Sequence, residues 1–174
     1  MMRQTKRGRK PVRYYLAYGS NLNVFQMLCR CPGAHRKGYG WIDDYELLYK
    51  GSKTGAYLTI EPREGARVPV GVYTVTPADE KILDRYEGHP RFYYKKEMKI
   101  LMRDFQQGRY QLVDAFVYLM HEDRLPGIPT QRYQAICREG YQDFDFDLDI
   151  LDRAWERSWE LCRKEEARCQ KIES

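Results

Sequence analysis

The chain has 174 residues, 43% hydrophobic and 14% aromatic with 15 tyrosines, which suits one domain with a buried core and excludes a disordered protein. The net charge of +5 comes largely from Arg3, Lys6, Arg7, Arg9, Lys10 and Arg13, so it reads as a flexible basic arm over residues 1–12 ahead of a domain at 13–174, not as a charged face. No run approaches the roughly 20 apolar residues of a membrane span, and no signal-peptide apolar stretch follows the arm, so no membrane partner is expected and the expected address is the cytoplasm.

No nucleic-acid-binding motif follows the arm, which argues against a nucleic-acid partner. Tyr14 to Tyr18 is an apolar run suited to a strand, and Val24 to Cys29 is amphipathic and suited to a helix. Between them lies Tyr18-Gly19-Ser20-Asn21-Leu22. Gly19 tolerates backbone angles closed to other residues, and Ser20, Asn21 and Asn23 are good N-caps, so the loop is expected to present several N–H groups in one direction. Two readings fit that chemistry: a carboxylate or phosphate site, or a plain strand-to-helix turn. The glycine spacing of a dinucleotide or Walker loop is missing, which argues against a nucleotide cofactor. Cysteines stand at 29, 31, 137, 162 and 169 without a CxxC pair or a histidine at metal-ligand spacing, and they read as reduced thiols.

Pro32-Gly33 closes the first helical unit. Gly38 to Lys50 suits a strand or long hairpin arm, with a turn at Gly51 to Gly55. Ala56 to Ile60 and Val68 to Val75 are β-type runs split by Glu61-Pro62-Arg63-Glu64-Gly65, and they are expected to pair as a hairpin. The next helix is clearly marked, with Thr76 as N-cap, Pro77 at its first position, Asp79 at its third, Ile82, Leu83 and Tyr86 on one face and Gly88 past its end. Glu87 ends this helix at the negative pole of its dipole, where a carboxyl is expected to have a raised pKa.

Phe92 to Leu101 and Leu112 to Met120 read as strands joined by a turn at Gly108. Pro129 and Thr130 open a helix expected to stop at Gly140. Leu148, Leu151, Trp155, Trp159 and Cys162 recur at helical spacing in a segment from Leu148 to Ala167. Without regular βα alternation, the class is α+β, a single domain whose curved mixed sheet forms a small barrel with flanking helices.

Three stretches, in their order and spacing, carry a family resemblance. They are Tyr18-Gly19-Ser20-Asn21-Leu22, then Leu83-Asp84-Arg85-Tyr86-Glu87-Gly88 with Pro90 and Tyr93, then Pro129 with Tyr133, Ile136 and Gly140. Over roughly residues 14 to 141 the chain resembles the γ-glutamylcyclotransferase superfamily, including the AIG2-like proteins. The resemblance implies a small α+β barrel whose Tyr18–Leu22 loop binds a substrate carboxylate, with Glu87 as the proton carrier and no metal or cofactor. It implies a small-molecule γ-glutamyl substrate, converted to 5-oxoproline and a free amine by attack of its own α-amine on its γ-carbonyl. Tyr93, Tyr118 and Tyr133 match positions that line the pocket in the family, with Tyr94 the alternative to Tyr93.

The chemistry fits those residue types. An ammonium cannot attack a carbonyl, so a base must remove a proton and the departing amine must receive one; one carboxylate does both if its pKa lies nearer neutrality than the ~4.3 of free Glu. Holding the α-carboxylate on loop amides brings amine and carbonyl together. Other readings remain open: Glu87 as a helix-end acid paired with Arg85 or Arg91, the tyrosines as packing residues, removal of a γ-glutamyl group from a larger metabolite, or a binding module without turnover. The helix carrying Trp155, Arg157, Trp159 and Arg163 either covers the leaving-group end of the pocket or completes the core.

Overall fold

The computed structural model describes residues 12–52 and 55–172. The basic arm up to residue 11 and the tip of the turn expected at Gly51 to Gly55, residues 53 and 54, lie outside the described residues. Among the described residues the order is strand β1 (Arg13–Ala17), a 3₁₀ turn (Ser20–Leu22), helix α1 (Val24–Arg30), strands β2 (His35–Ser52) and β3 (Gly55–Val75), helix α2 (Pro77–Tyr86), strands β4 (Tyr93–Asp104), β5 (Tyr110–Met120) and β6 (Leu125–Pro126), and helices α3 (Gln131–Asp143) and α4 (Asp149–Ile172).

The strands hydrogen-bond in the order β3-β1-β5-β4-β2-β6, and a further pairing of β3 with β2 closes the first five into a barrel. The β1–β5 pairing is parallel and the others are antiparallel, so the sheet is mixed. The ring closes through a short contact, Gly38 opposite Asp104 and Tyr39 opposite Arg103. A Cβ on Gly38 would lie 2.2 Å from the Arg103 carbonyl oxygen, so this seam needs glycine for its close approach. Leu16, Leu58, Tyr73, Met102 and Phe116 are among the buried core side chains.

The expected hairpin between Ala56–Ile60 and Val68–Val75 does not form: the two runs are halves of the single strand β3, and both pair with β2. The register steps from Asp43 opposite Arg67 to Tyr45 opposite Pro62, so residues 63–66 bulge out opposite Asp44, whose carboxylate accepts from the Gly65 N–H at 2.9 Å. A proline and a glycine at an exposed bulge bend a strand without ending it.

Helix α2 has the predicted start: the Thr76 side chain and Asp79 form a capping box, with Pro77 at the first position. Glu87 is its C-cap, and Gly88 follows with φ +63°. Helix α3 does not stop at Gly140 but continues to Asp143. That glycine lies where the helix meets the first loop, and a Cβ there would be 2.5 Å from the Asn23 backbone N.

Helix α4 packs on β2. The Tyr49 N–H donates to Ser158 Oγ at 2.8 Å, and that hydroxyl donates to the Ala154 carbonyl at 2.7 Å. Trp155 and Trp159 stack on each other with centroids 5.9 Å apart. All five cysteines are free thiols. Among the described residues no helix is long and apolar enough to cross a membrane.

Candidate functional site

Because β1 ends at Ala17, the chain turns out of the barrel at Tyr18–Gly19 and tightens into a 3₁₀ turn. The N–H groups of Leu22 and Asn23 close that turn on the carbonyls of Gly19 and Ser20, at 3.0 and 3.1 Å. The loop amides that this turn does not use are those of Gly19, Ser20 and Asn21. Gly19 has φ −120°, so a left-handed conformation is not what it supplies. A Cβ there would stand a tight 3.2 Å from the Tyr133 hydroxyl and 3.4 Å from Leu58 Cβ, so glycine leaves α3 and β3 unhindered against the loop.

The Asn23 side chain caps α1 by accepting from the Gln26 N–H at 3.0 Å. Asn21 points the other way, into the site. Its Nδ2 donates to Glu87 Oε1 and to the Tyr15 hydroxyl, both at 2.8 Å, while its Oδ1 accepts from the Arg30 guanidinium. Arg30 is itself held flat over the Tyr86 ring, 3.4 Å from the centroid. The chain Tyr86–Arg30–Asn21–Glu87 thus fixes which way the Asn21 amide faces, and the amide fixes one carboxylate oxygen. Glu87 Oε2 has no protein partner among the described residues.

Neither Arg85 nor Arg91 pairs with Glu87. Burial pushes the Glu87 carboxyl up to about 7, against the opposing pull of the Arg30 guanidinium and the Asn21 amide. The rise expected at this helix end is present, with loss of solvent as its largest cause.

The carboxyl lines two neighbouring spaces. An inner chamber of about 30 Å³ is lined by Tyr15, Tyr18, Gly19, Ser20, Asn21, Leu58, Glu87, Tyr93, Tyr118 and Tyr133. An outer cleft of about 320 Å³ shares Ser20, Glu87, Tyr93 and Tyr133 and adds Tyr57, Arg85, Tyr86, Gly88 and Phe92. The structure therefore brings together Glu87, Tyr18, Gly19, Ser20, Asn21, Tyr93, Tyr118 and Tyr133 as the sequence predicts. It separates Leu22 from them: that side chain is fully buried in the core and its N–H is taken up by the turn. Tyr93, at 7% exposure, lines both spaces, whereas Tyr94 faces away to pack on His121 with centroids 5.1 Å apart.

The tyrosine hydroxyls are mostly committed to the protein. Tyr18 donates to the Tyr118 carbonyl at 2.6 Å, Tyr93 to the Leu58 carbonyl at 2.8 Å and Tyr118 to Asp84 at 2.6 Å. The Tyr133 oxygen accepts from the Leu58 N–H at 3.2 Å. Tyr15 accepts from Asn21 and retains its own proton. Sequence reasoning missed Tyr15, Arg30, Tyr57 and Phe92. Tyr15 had no signal beyond its place in an apolar strand, and Arg30 is distinguished only by lying one turn and a loop after Asn21. Helix α4 lines neither space, so of its two predicted roles it fills the core one.

The profile of the family described as gamma-glutamyl cyclotransferase, AIG2-like, matches residues 15–135. Among curated proteins none matches the sequence. The fold is similar to that of a structure named gamma-glutamyl cyclotransferase, at 24% identity and TM-score 0.69 over 83% of this chain and 86% of that one. A Homo sapiens protein described as uncharacterized is similar at 25% identity and TM-score 0.68, over 82% of this chain and 86% of that one. A yeast gamma-glutamyl cyclotransferase specific to glutathione shares the fold at 10% identity and TM-score 0.55, over 84% and 97%.

Proposed function

The chain belongs to the gamma-glutamyl cyclotransferase, AIG2-like family, and from that premise we propose that it converts a γ-glutamyl amide to 5-oxoproline and a free amine, with Glu87 as base and then acid. The observation that carries the reading is the Glu87 carboxyl itself, raised to about 7, anchored through one oxygen by Asn21 and set where the inner chamber meets the outer cleft.

In this mechanism the substrate α-carboxylate lies on the free amides of Gly19, Ser20 and Asn21, beside the Ser20 hydroxyl. That anchoring turns the α-amine back towards the γ-carbonyl and makes the attack intramolecular in a fixed geometry, the largest source of rate open to such a site. Glu87 Oε2 takes a proton from the α-ammonium. The freed amine attacks the γ-carbon, the carbonyl π-electrons move to oxygen, and the tetrahedral centre collapses with cleavage of the bond to the leaving nitrogen. The proton held on Glu87 passes to that nitrogen, which departs as an amine; the regenerated carboxylate then takes the second proton of the new ring nitrogen and hands it to the amine, which leaves as its ammonium with the carboxylate restored. A carboxyl near 7 is poised for both transfers at neutral pH. Tyr15, whose own proton is uncommitted, supplies a donor for the oxyanion.

The test is 5-oxoproline release from γ-glutamyl amino acids, γ-glutamyl amines and glutathione by the parent protein, Glu87→Gln and Tyr15→Phe, each checked for fold by circular dichroism. Release by the parent, lost by at least about 100-fold in Glu87→Gln and lowered mainly in kcat in Tyr15→Phe, is the expected result. Turnover that survives Glu87→Gln removes Glu87 from the mechanism. No release from any substrate leaves a binding pocket without turnover.

A further inference from the structure

We propose that the leaving group is an aromatic α-amino acid, its carboxylate read by Arg85 and its ring received by Tyr57, Phe92 and Tyr133 in the outer cleft. This rests on the cyclotransferase reading and adds what the amine side of the substrate must be.

Room comes first. The inner chamber, about 30 Å³, takes little more than the α-carboxylate end of a substrate, whereas the outer cleft offers about 320 Å³. With the γ-carbonyl beside Glu87 at their junction, everything beyond the scissile nitrogen falls in the outer cleft.

Charge comes second. The charged residues lining that cleft are Arg85 and Glu87. The Arg85 guanidinium makes no ion pair or hydrogen bond among the described residues, in contrast to the nearby Lys95, which bridges Glu80 and Asp84. The Arg124 guanidinium lies 4.8 Å from the Phe92 centroid and adds to the positive field at the rim. A carboxylate on the leaving group meets an unpaired guanidinium with the planar fork that suits it. A cationic leaving group, such as a polyamine or the side-chain amine of lysine, meets Arg85 and finds no carboxylate in the wall besides the base itself, so the same residue discriminates by repulsion.

Shape comes third. Tyr57 is 42% exposed, an aromatic ring held open to solvent with Tyr133 and Phe92 edge-on to it at 5.1 and 6.2 Å. Two rings set edge-on to the Tyr57 ring leave an aromatic notch that accepts a further ring by edge-to-face contact. Arg85 and Tyr57 sit on opposite elements, α2 and β3, and together they read the carboxylate and the ring of one leaving amino acid.

The experiment compares 5-oxoproline release from γ-glutamyl-phenylalanine, γ-glutamyl-phenethylamine, γ-glutamyl-alanine and γ-glutamyl-agmatine. The phenethylamide lacks only the carboxylate, the alanine substrate lacks only the ring, and the agmatine substrate carries a cation. The parent is expected to prefer γ-glutamyl-phenylalanine over the phenethylamide by about 10- to 100-fold in kcat/KM, as a charge-assisted hydrogen bond predicts. That ratio is expected to fall to near one in Arg85→Gln, and in Arg85→Glu the agmatine substrate is expected to overtake γ-glutamyl-phenylalanine. In Tyr57→Ala the preference for phenylalanine over alanine is expected to shrink while the preference for the carboxylate remains.

Release from all four substrates at similar kcat/KM, or a carboxylate preference untouched by Arg85→Gln, overturns the inference and leaves the cyclotransferase reading standing. The absence of release from all four, and from glutathione as well, overturns that reading and the inference with it.

Discussion

At Glu87 the proposed catalytic role and stability pull in opposite directions. Its carboxyl is raised from 4.5 to about 7 by burial, so the folded protein holds a proton that the unfolded chain has released. The contribution of Glu87 to folding stability is therefore fully present below about 4.5 and is lost as pH rises to about 7, by an amount on the order of 3 kcal/mol. Glu87→Gln removes that cost: urea unfolding is expected to find the variant more stable than the parent at pH 8 and the two nearly equal at pH 4. A parent that is the more stable of the two at pH 8 would sink this account of the site. The rate carries the opposite sign, because the base must be ionised in the free enzyme, so kcat/KM is expected to climb as pH passes through about 7. Arg30 lowers the Glu87 pKa and orients Asn21. In Arg30→Met the acidic limb of the profile is expected to move to higher pH, whereas a limb that stays put means that Arg30 acts on packing alone.

Among the elements, α3 is the one whose placement the site depends on most. It carries Tyr133 to the Gly19 loop and lies against Leu22 and Asn23 through Gly140, where a Cβ would stand 2.5 Å from a backbone nitrogen and 2.8 Å from the Leu22 carbonyl carbon. Alanine is intrinsically better in a helix than glycine by about 1 kcal/mol, so an isolated α3 would gain from Gly140→Ala. In the protein the clash is with backbone that has little room to move, and a loss of about 1–3 kcal/mol is expected, together with a fall in kcat/KM as the loop shifts. Thermal unfolding and a steady-state assay on the same preparation check both. A stabilised variant with full activity would mean that the helix–loop contact is soft. The same glycine explains why a stop signal in the sequence is not a stop in the structure.

For the molecule as a whole, α4 and the β2 strand beneath it form a stability layer away from the cleft, since neither lines either space. Ser158 is fully buried on α4 and receives the Tyr49 N–H of β2. Ser158→Ala leaves that N–H without its partner and is expected to cost about 1–3 kcal/mol in chemical unfolding, with kcat and KM unchanged because no residue of α4 lines either space. A specificity change in this variant would couple α4 to the leaving-group end after all. The barrel seam at Gly38 belongs to the same layer: it closes β2 on β4 and keeps β1 and α2, which carry Tyr15 and Glu87, in one rigid frame.

Most of what local chemistry controls is readable in the chain itself. The α2 capping box, Gly88 past its end, the turn at the Gly19 loop and the alternation of the strands are decided within a few residues, so the α+β class, Glu87 and the loop could be read directly, as could Tyr93, Tyr118 and Tyr133 through the family pattern. Tertiary structure decided what depends on partners distant in sequence. Pro62 and Gly65 read as a break until β2 offers Asp44 to hold a bulge, and Gly140 reads as a stop until the Asn23 backbone arrives beside it. Leu22 reads as part of the anion loop until the core claims its side chain. Arg30, Tyr15, Tyr57 and Arg85 have no local signature, because orientation of an amide, an uncommitted hydroxyl proton and an unpaired guanidinium exist only once the strands and helices that surround them have packed.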